Sequence, residues 1–346
     1  KKQNMSQKNL NAKNKTHKFL LNKLKDKRTL QIYKKFEKHL KIKNNAIVAV
    51  SGGPDSLALS FLIKIYSLKK SLNVKYYIVD HRLRKNSTKE AKNVQKHLKK
   101  FCINLNILTW RGSKPKNNIQ SISRDKRYKL LIDRANKLKI KNILLGHHLD
   151  DLFENFFIRI LRGSGLNGLV SLDRKTQRNR VNLIRPLLEF NKNDLIYLSN
   201  HVFGSYVNDP SNENDKFKRV KIRNFIKQLS SEGLDKEKLL LTVRNLKLAN
   251  ENIKHYVREN LEKNLTILPN KNNVILKKNF FSHSNEVVFR SFTEVLKIVG
   301  KKYYPVRGKK IEKILQTIKV KQSFQSTLGG CMIKKVNETI IIVKET

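Results

Sequence analysis

Apolar residues in this chain come in short runs separated by helix-patterned stretches. Ala46-Ile47-Val48-Ala49-Val50 is a continuous apolar run, which suits a strand covered on both faces. It passes through Ser51-Gly52-Gly53-Pro54-Asp55-Ser56 into Leu57-Ala58-Leu59-Ser60-Phe61-Leu62-Ile63, which reads as a helix. Val74–Val79 is a short strand, and Ser87-Thr88-Lys89-Glu90 opens a helix running to about Phe101. Ile103–Thr109 alternates like a strand, Ile119–Leu138 has helical periodicity, Asn142–Leu145 is strand-like, and a helix runs from about Asp150 to Leu161. Ahead of the first strand, Leu30, Tyr33, Phe36 and Leu40 have helical spacing over residues 28–41. The alternation predicts an α/β fold with a doubly wound, mostly parallel sheet, whose ligands sit beyond the carboxyl ends of the strands.

The pattern changes after about residue 216. Asp215–Glu262 is highly charged, with Phe225, Leu229, Leu239, Leu240 and Val243 at helical spacing. Strand-like pieces (Val274–Leu276, Ile340–Val343) and helical ones (Glu286–Ile298, Lys309–Ile318) follow, as expected of a smaller α+β domain. The expected organisation is a basic flexible tail over residues 1–27, a catalytic α/β domain over 28–216 and a C-terminal α+β domain over 217–346 that binds the nucleic-acid partner.

Charge narrows the partners. The 346 residues hold 75 Lys and Arg against 27 Asp and Glu, a formal net charge of +48. Such an excess repels itself unless something anionic offsets it, which points to nucleic acid. The joint preference for Lys, Asn and Ile is also what an A/T-rich genome would produce, so the charge supports this reading without proving it. No apolar run is long enough to span a membrane, and the N-terminus has no apolar signal core, so a cytoplasmic location is expected. The two cysteines, Cys102 and Cys331, lie far apart and exclude a CxxC zinc or redox site.

The loop Ser51–Ser56 carries the first chemistry. Glycines permit close backbone approach, and a helix beginning at Pro54 aims its N-terminal N–H groups at one spot, a setting for phosphate. Asp55 would repel a phosphate unless a cation lay between them, which argues for Mg²⁺. A capped strand-to-helix turn is the plainer alternative. No Gly-Lys-Ser/Thr follows, so this is not a Walker loop. The second cluster is Gly146-His147-His148-Leu149-Asp150-Asp151-Leu152-Phe153-Glu154. With a helix starting near Asp150, Asp151 and Glu154 share a face, able to bind metal, act as bases or capture an amine. An acidic helix N-terminus alone explains Asp150 and Asp151, but neither the paired histidines nor Glu154.

The string SGGPDS resembles the SGGxDS loop of the PP-loop, or N-type, ATP pyrophosphatases. GHHLDDLFEN looks like the GHHxDDxxET segment of the tRNA(Ile)-lysidine synthetases. VDHRLR (79–84), RDKRYKLL (124–131), LRGSGLNGL (161–169), RPLLEF (185–190) and NDPSNENDKFKRVKIR (208–223) follow that family's order. Beyond residue 224 only RGKKIEKIL and LGGCMI are similar to its first C-terminal domain. The resemblance implies ATP-dependent adenylation of the C2 oxygen of cytidine 34 in a tRNA(Ile) with a CAU anticodon, releasing pyrophosphate. The amine of free L-lysine then attacks C2 and AMP leaves. Carried over, Ser51, Gly52, Gly53, Pro54, Asp55 and Ser56 would bind ATP, and Asp55 and Asp151 would hold Mg²⁺. Arg127 would stabilise negative charge and His147 would support adenylation. Asp151 and Glu154 would receive lysine, while Arg219 and Arg223 would lie near the active site and tRNA. A homodimer is among the expected assemblies. Two positions depart from the family: Asn155 replaces the usual threonine, and Arg219-Val220-Lys221-Ile222-Arg223 replaces RNxIR.

Three other readings compete. A sulfur-installing PP-loop enzyme usually needs paired cysteines or a cluster. A PP-loop amide or nucleotide synthetase needs a source of ammonia, and no glutamine-hydrolysing domain is evident. A non-catalytic RNA binder has no use for an acidic cluster facing RNA.

Overall fold

Each residue of the first strand, β1 (Ala46–Val50), is committed to one side of a sheet. In the computed structural model, Ala46, Val48 and Val50 enter one apolar cluster and Ile47 another on the opposite face. That period of two, in a strand apolar at every position, places the sheet between two helical layers. The structure describes residues 14–42, 45–83, 86–112, 119–207, 218–269, 273–301 and 306–345.

A helix over residues 14–22 (α1) precedes α2 (Lys27–His39) and β1. Then come α3 (Pro54–Lys70), β2 (Val74–Asp80), α4 (Ser87–Lys99), β3 (Leu105–Thr109), α5 (Ile119–Lys137), β4 (Asn142–Leu144) and α6 (Leu149–Ile160). A short α7 (Leu166–Leu169) leads to β5 (Lys175–Arg178), β6 (Val181–Ile184), α8 (Lys192–Phe203) and α9 (Lys218–Ser231). The six strands lie in the order β3-β2-β1-β4-β6-β5, all parallel except the edge strand β5, which is antiparallel to β6. The mostly parallel, doubly wound sheet is the one the alternation predicts. The strand order reverses direction between β1 and β4, so the loops leaving those two strands open a crevice at the topological switch point.

The N-terminal segment and the boundary between the units take the following form. Of the segment 1–27 expected to be a flexible tail, residues 1–13 lie outside the described residues, but 14–22 are helical and Leu20 is fully buried in the main core. Asp26 caps α2 by accepting the Thr29 N–H at 2.7 Å and the Tyr197 hydroxyl at 2.7 Å, fastening the segment to α8. The chain also divides into compact units at Gly233/Leu234 rather than after 216, because α9 packs against α6.

The second unit, Leu234–Thr346, holds the long α10 (Lys236–Asn264), then β7 (Leu265–Ile267), β8 (Asn273–Leu276), α11 (Asn285–Gly300), α12 (Gly308–Val320), β9 (Phe324–Leu328), β10 (Cys331–Val336) and β11 (Thr339–Lys344). Its sheet is antiparallel, in the order β7-β8-β11-β10-β9, over a core containing Val274, Phe280, Phe292, Ile333 and Ile342. Among the described residues of either unit, no helix is long and apolar enough to cross a membrane.

Candidate active site

The loop leaving β1 is built by two glycines and a serine. Gly52 has φ +91°, a region L side chains rarely adopt, and a Cβ there would stand 2.7 Å from Val94 Cγ2. Gly53 is the N-cap of α3, and Pro54 takes the first helical turn, where its missing N–H costs nothing. The Ser56 hydroxyl turns back into the loop, accepting the N–H groups of Ser51 and Gly52, each at 3.1 Å, and donating to the Gly53 carbonyl at 2.9 Å. Backbone N–H groups of this kind, beside a helix N-terminus, are donors suited to phosphate oxygens.

The loop leaving β4 lies beside it. Gly146 makes this approach possible, since a Cβ there would reach 3.3 Å from the Asp55 carbonyl and the Ser56 nitrogen. His148 caps α6: its Nδ1 accepts the Asp150 N–H at 3.3 Å, and its own N–H donates to Asp151 Oδ2 at 3.0 Å. With Nδ1 an acceptor, Nε2 is the ring's N–H donor. That atom faces both carboxylates, Asp55 Oδ1 at 3.7 Å and Asp151 Oδ2 at 3.6 Å. Burial disfavours the Asp151 charge, but His148, His147, the backbone bond and Arg219 outweigh it and hold the carboxyl below its ordinary range. Lys192, at the start of α8, closes the group from the other side, donating to both Asp55 oxygens at 2.6 and 2.8 Å.

One turn further along α6, the Glu154 carboxyl is 2% exposed and accepts from Arg223 Nε of α9. Its second oxygen, Oε2, is buried without a partner. Burial, joined by the Asp151 charge and opposed by Arg223, raises its pKa. His147 also has an unpartnered buried nitrogen, Nδ1. Burial, with Arg185, Arg124 and Arg127 nearby, lowers its pKa to about 3 against the pull of Asp151, so it is neutral at neutral pH. His81, after β2, is similar: burial and then Arg127 lower it to about 4. Arg127 on α5 has Arg124, Arg219 and Asp151 among its electrostatic neighbours.

The structure therefore brings Asp55, Arg127, His147, Asp151, Glu154, Arg219 and Arg223 to one region beyond the carboxyl ends of the strands. The stretch 208–217 of the last quoted string lies outside the described residues. Asp80 from VDHRLR is structural, accepting the Arg82 N–H at 3.0 Å and the hydroxyls of Ser87 and Thr88 at 2.9 and 2.7 Å. Asn155, where a threonine was expected, points its amide at the Ser171 hydroxyl at 3.3 Å. In the altered RNxIR string, Val220 and Ile222 are buried and Lys221 is exposed, so both outer arginines keep their place. Sequence reasoning missed Lys192 and gave His148 no role. The signal for Lys192 was its position just after the RPLLEF string. Asp55 and Asp151, converging on one imidazole beside the phosphate cradle, fit a Mg²⁺ shared with phosphate oxygens, which needs only one or two carboxylates.

The family of PP-loop domains matches residues 22–230. The tRNA(Ile)-lysidine synthase of Wolbachia sp. subsp. Brugia malayi (strain TRS) is 31% identical over 306 residues, covering 88% of this chain and 71% of that protein. The tRNA(Ile)-lysidine synthase of Orientia tsutsugamushi (strain Boryong) is 32% identical over 305 residues, covering 86% and 69%. Among solved structures, the U34-tRNA thiolase NcsA from Methanococcus maripaludis has a TM-score of 0.56 at 19% identity, covering 65% of this chain and 80% of that one, a likeness of fold.

Proposed function

Because the chain belongs to the tRNA(Ile)-lysidine synthase family of PP-loop enzymes, an ATP-using family that modifies tRNA, we propose that it joins free L-lysine to C2 of cytidine 34 in a tRNA(Ile) with a CAU anticodon. The observation that carries this reading is the convergence of Asp55, His148 and Asp151 beside the Ser51–Ser56 cradle, with buried Glu154 one turn beyond.

In the first step the cytosine O2 attacks the α-phosphorus of ATP, and pyrophosphate departs. Such transfer needs alignment and neutralisation of charge above all. The backbone N–H groups of Ser51 and Gly52, released by Ser56, take phosphate oxygens. Mg²⁺, held by Asp55 and Asp151, would neutralise the polyphosphate. Arg127 stands where negative charge grows, and the neutral His147 offers an uncharged imidazole to the adenylation site. Adenylation converts O2 into a leaving group.

In the second step the lysine amine forms a bond to C2, the C2–O2 bond breaks, and O2 leaves with AMP. The amine must first shed a proton. Asp151 and Glu154 supply the carboxylates, and the raised pKa of Glu154 suits it to take that proton. Arg219 and Arg223 of α9, basic side chains beside the carboxylates, would meet the tRNA. A sulfur-transfer reading is disfavoured because Cys102 and Cys331 are free, belong to different units and fall in none of the motifs that build this site.

The test is ATP–pyrophosphate exchange. Exchange that requires a tRNA(Ile) CAU transcript supports the reading. Exchange with no RNA present points to a small-molecule acceptor, and no exchange at all favours a binder without chemistry.

A further inference from the structure

We propose that Lys192 is the polyphosphate-binding lysine of this site, delivered from α8 because the β1 loop carries none. The assignment rests on the ATP reading above. Lys192 is the first residue of α8, so its ammonium stands at the positive end of a helix dipole, an unfavourable place for a cation. What holds it there is Asp55, whose two oxygens it bonds at 2.6 and 2.8 Å. The base of the side chain is fixed: α8 packs along α3, and the Ser199 hydroxyl donates to the Pro54 carbonyl at 3.2 Å. The ammonium is therefore carried by a rigid element and reaches the residue beside the phosphate cradle.

Within the chain, this arrangement is self-neutralised. Lys192 supplies the positive charge that Asp55 needs, as Ser56 supplies the acceptor that the loop N–H groups need. When nucleotide arrives with its divalent cation, both stand-ins are displaced together. Asp55 would then hold the metal, and the ammonium, still tethered beside the N-terminus of α3, would be free to bond the β- and γ-phosphate oxygens. It then neutralises the departing pyrophosphate. AMP lacks those phosphates and makes no use of it.

Calorimetric titration of the full chain with ATP, AMP and pyrophosphate, each with Mg²⁺, tests the assignment on wild type, Lys192→Ala and Lys192→Arg. A charged hydrogen bond of this kind is worth at least about tenfold in affinity. Lys192→Ala is expected to weaken ATP and pyrophosphate by that factor or more while AMP affinity stays within about twofold, a pattern that also certifies the fold. Lys192→Arg, which keeps the charge, retains more of the ATP affinity. Unchanged ATP binding in Lys192→Ala, or equal weakening of ATP and AMP, reduces Lys192 to a structural partner of Asp55 and overturns the assignment alone. Failure of wild type to bind ATP overturns the adenylation reading and this assignment with it.

Discussion

Asp55, Asp151 and Glu154 are three carboxylates in one crevice of a strongly basic protein, each set differently: Asp55 bonds Lys192, Asp151 accepts the His148 backbone N–H with Arg219 nearby, and Glu154 is buried against Arg223. Their separate settings predict separable losses. Asp55→Ala or Asp151→Ala is expected to abolish ATP–pyrophosphate exchange while tRNA binding in a filter assay persists; full exchange in either variant contradicts the site. Glu154→Gln is expected to keep exchange and lose lysine transfer, measured with labelled lysine. His147 makes a pH prediction. Its folded pKa, about 3, lies below the model-peptide 6.5, so between those values the unfolded chain binds a proton that the folded chain refuses. Stability therefore falls as pH drops from 6.5 toward 3. Urea midpoints at about pH 7 and about pH 5 should differ less in His147→Asn than in wild type. Asp151 and Glu154 were legible in the sequence because i,i+3 spacing on a helix brings them together locally. Lys192 was not, because it reaches Asp55 across 137 positions and only the packing of α8 on α3 brings it there.

At the scale of elements, the β1 and β4 loops come together because each has a glycine, Gly52 and Gly146, at its second position in close quarters. Gly52→Ala adds a Cβ that meets Val94 at 2.7 Å on a backbone at φ +91°. It is expected to cost about 1–3 kcal/mol of stability and to impair ATP binding. A shallower Val94→Ala companion should relieve the clash but not the strain, so the double variant regains only part of the loss in a thermal melt. The parallel strands β1, β2 and β4 could be read from their apolar runs, and β3 from its alternation. Strand β6 and helix α8 were not read as elements: Val181-Asn182-Leu183-Ile184 is four residues long and interrupted by a polar one, and its membership of the sheet comes from pairing with β4. Helix α1 was hidden in a Lys- and Asn-rich segment, where only Leu20 reports that one face is buried.

At the scale of the whole molecule, the net charge of +48 is the dominant feature not explained by the fold. If it serves a polyanion, tRNA affinity falls steeply and linearly on a log–log plot against salt, as each phosphate contact releases counterions. A flat response over about 50–200 mM salt assigns the excess to composition instead. The central claim concerns chemistry at one base. The most direct measurement is the mass of nucleosides from a digested tRNA(Ile) CAU transcript after incubation with the protein, ATP, Mg²⁺ and isotope-labelled lysine. The account predicts a labelled lysine–cytidine conjugate at position 34, absent when ATP is omitted or Asp151 is alanine. ATP consumed with cytidine 34 unmodified would contradict it.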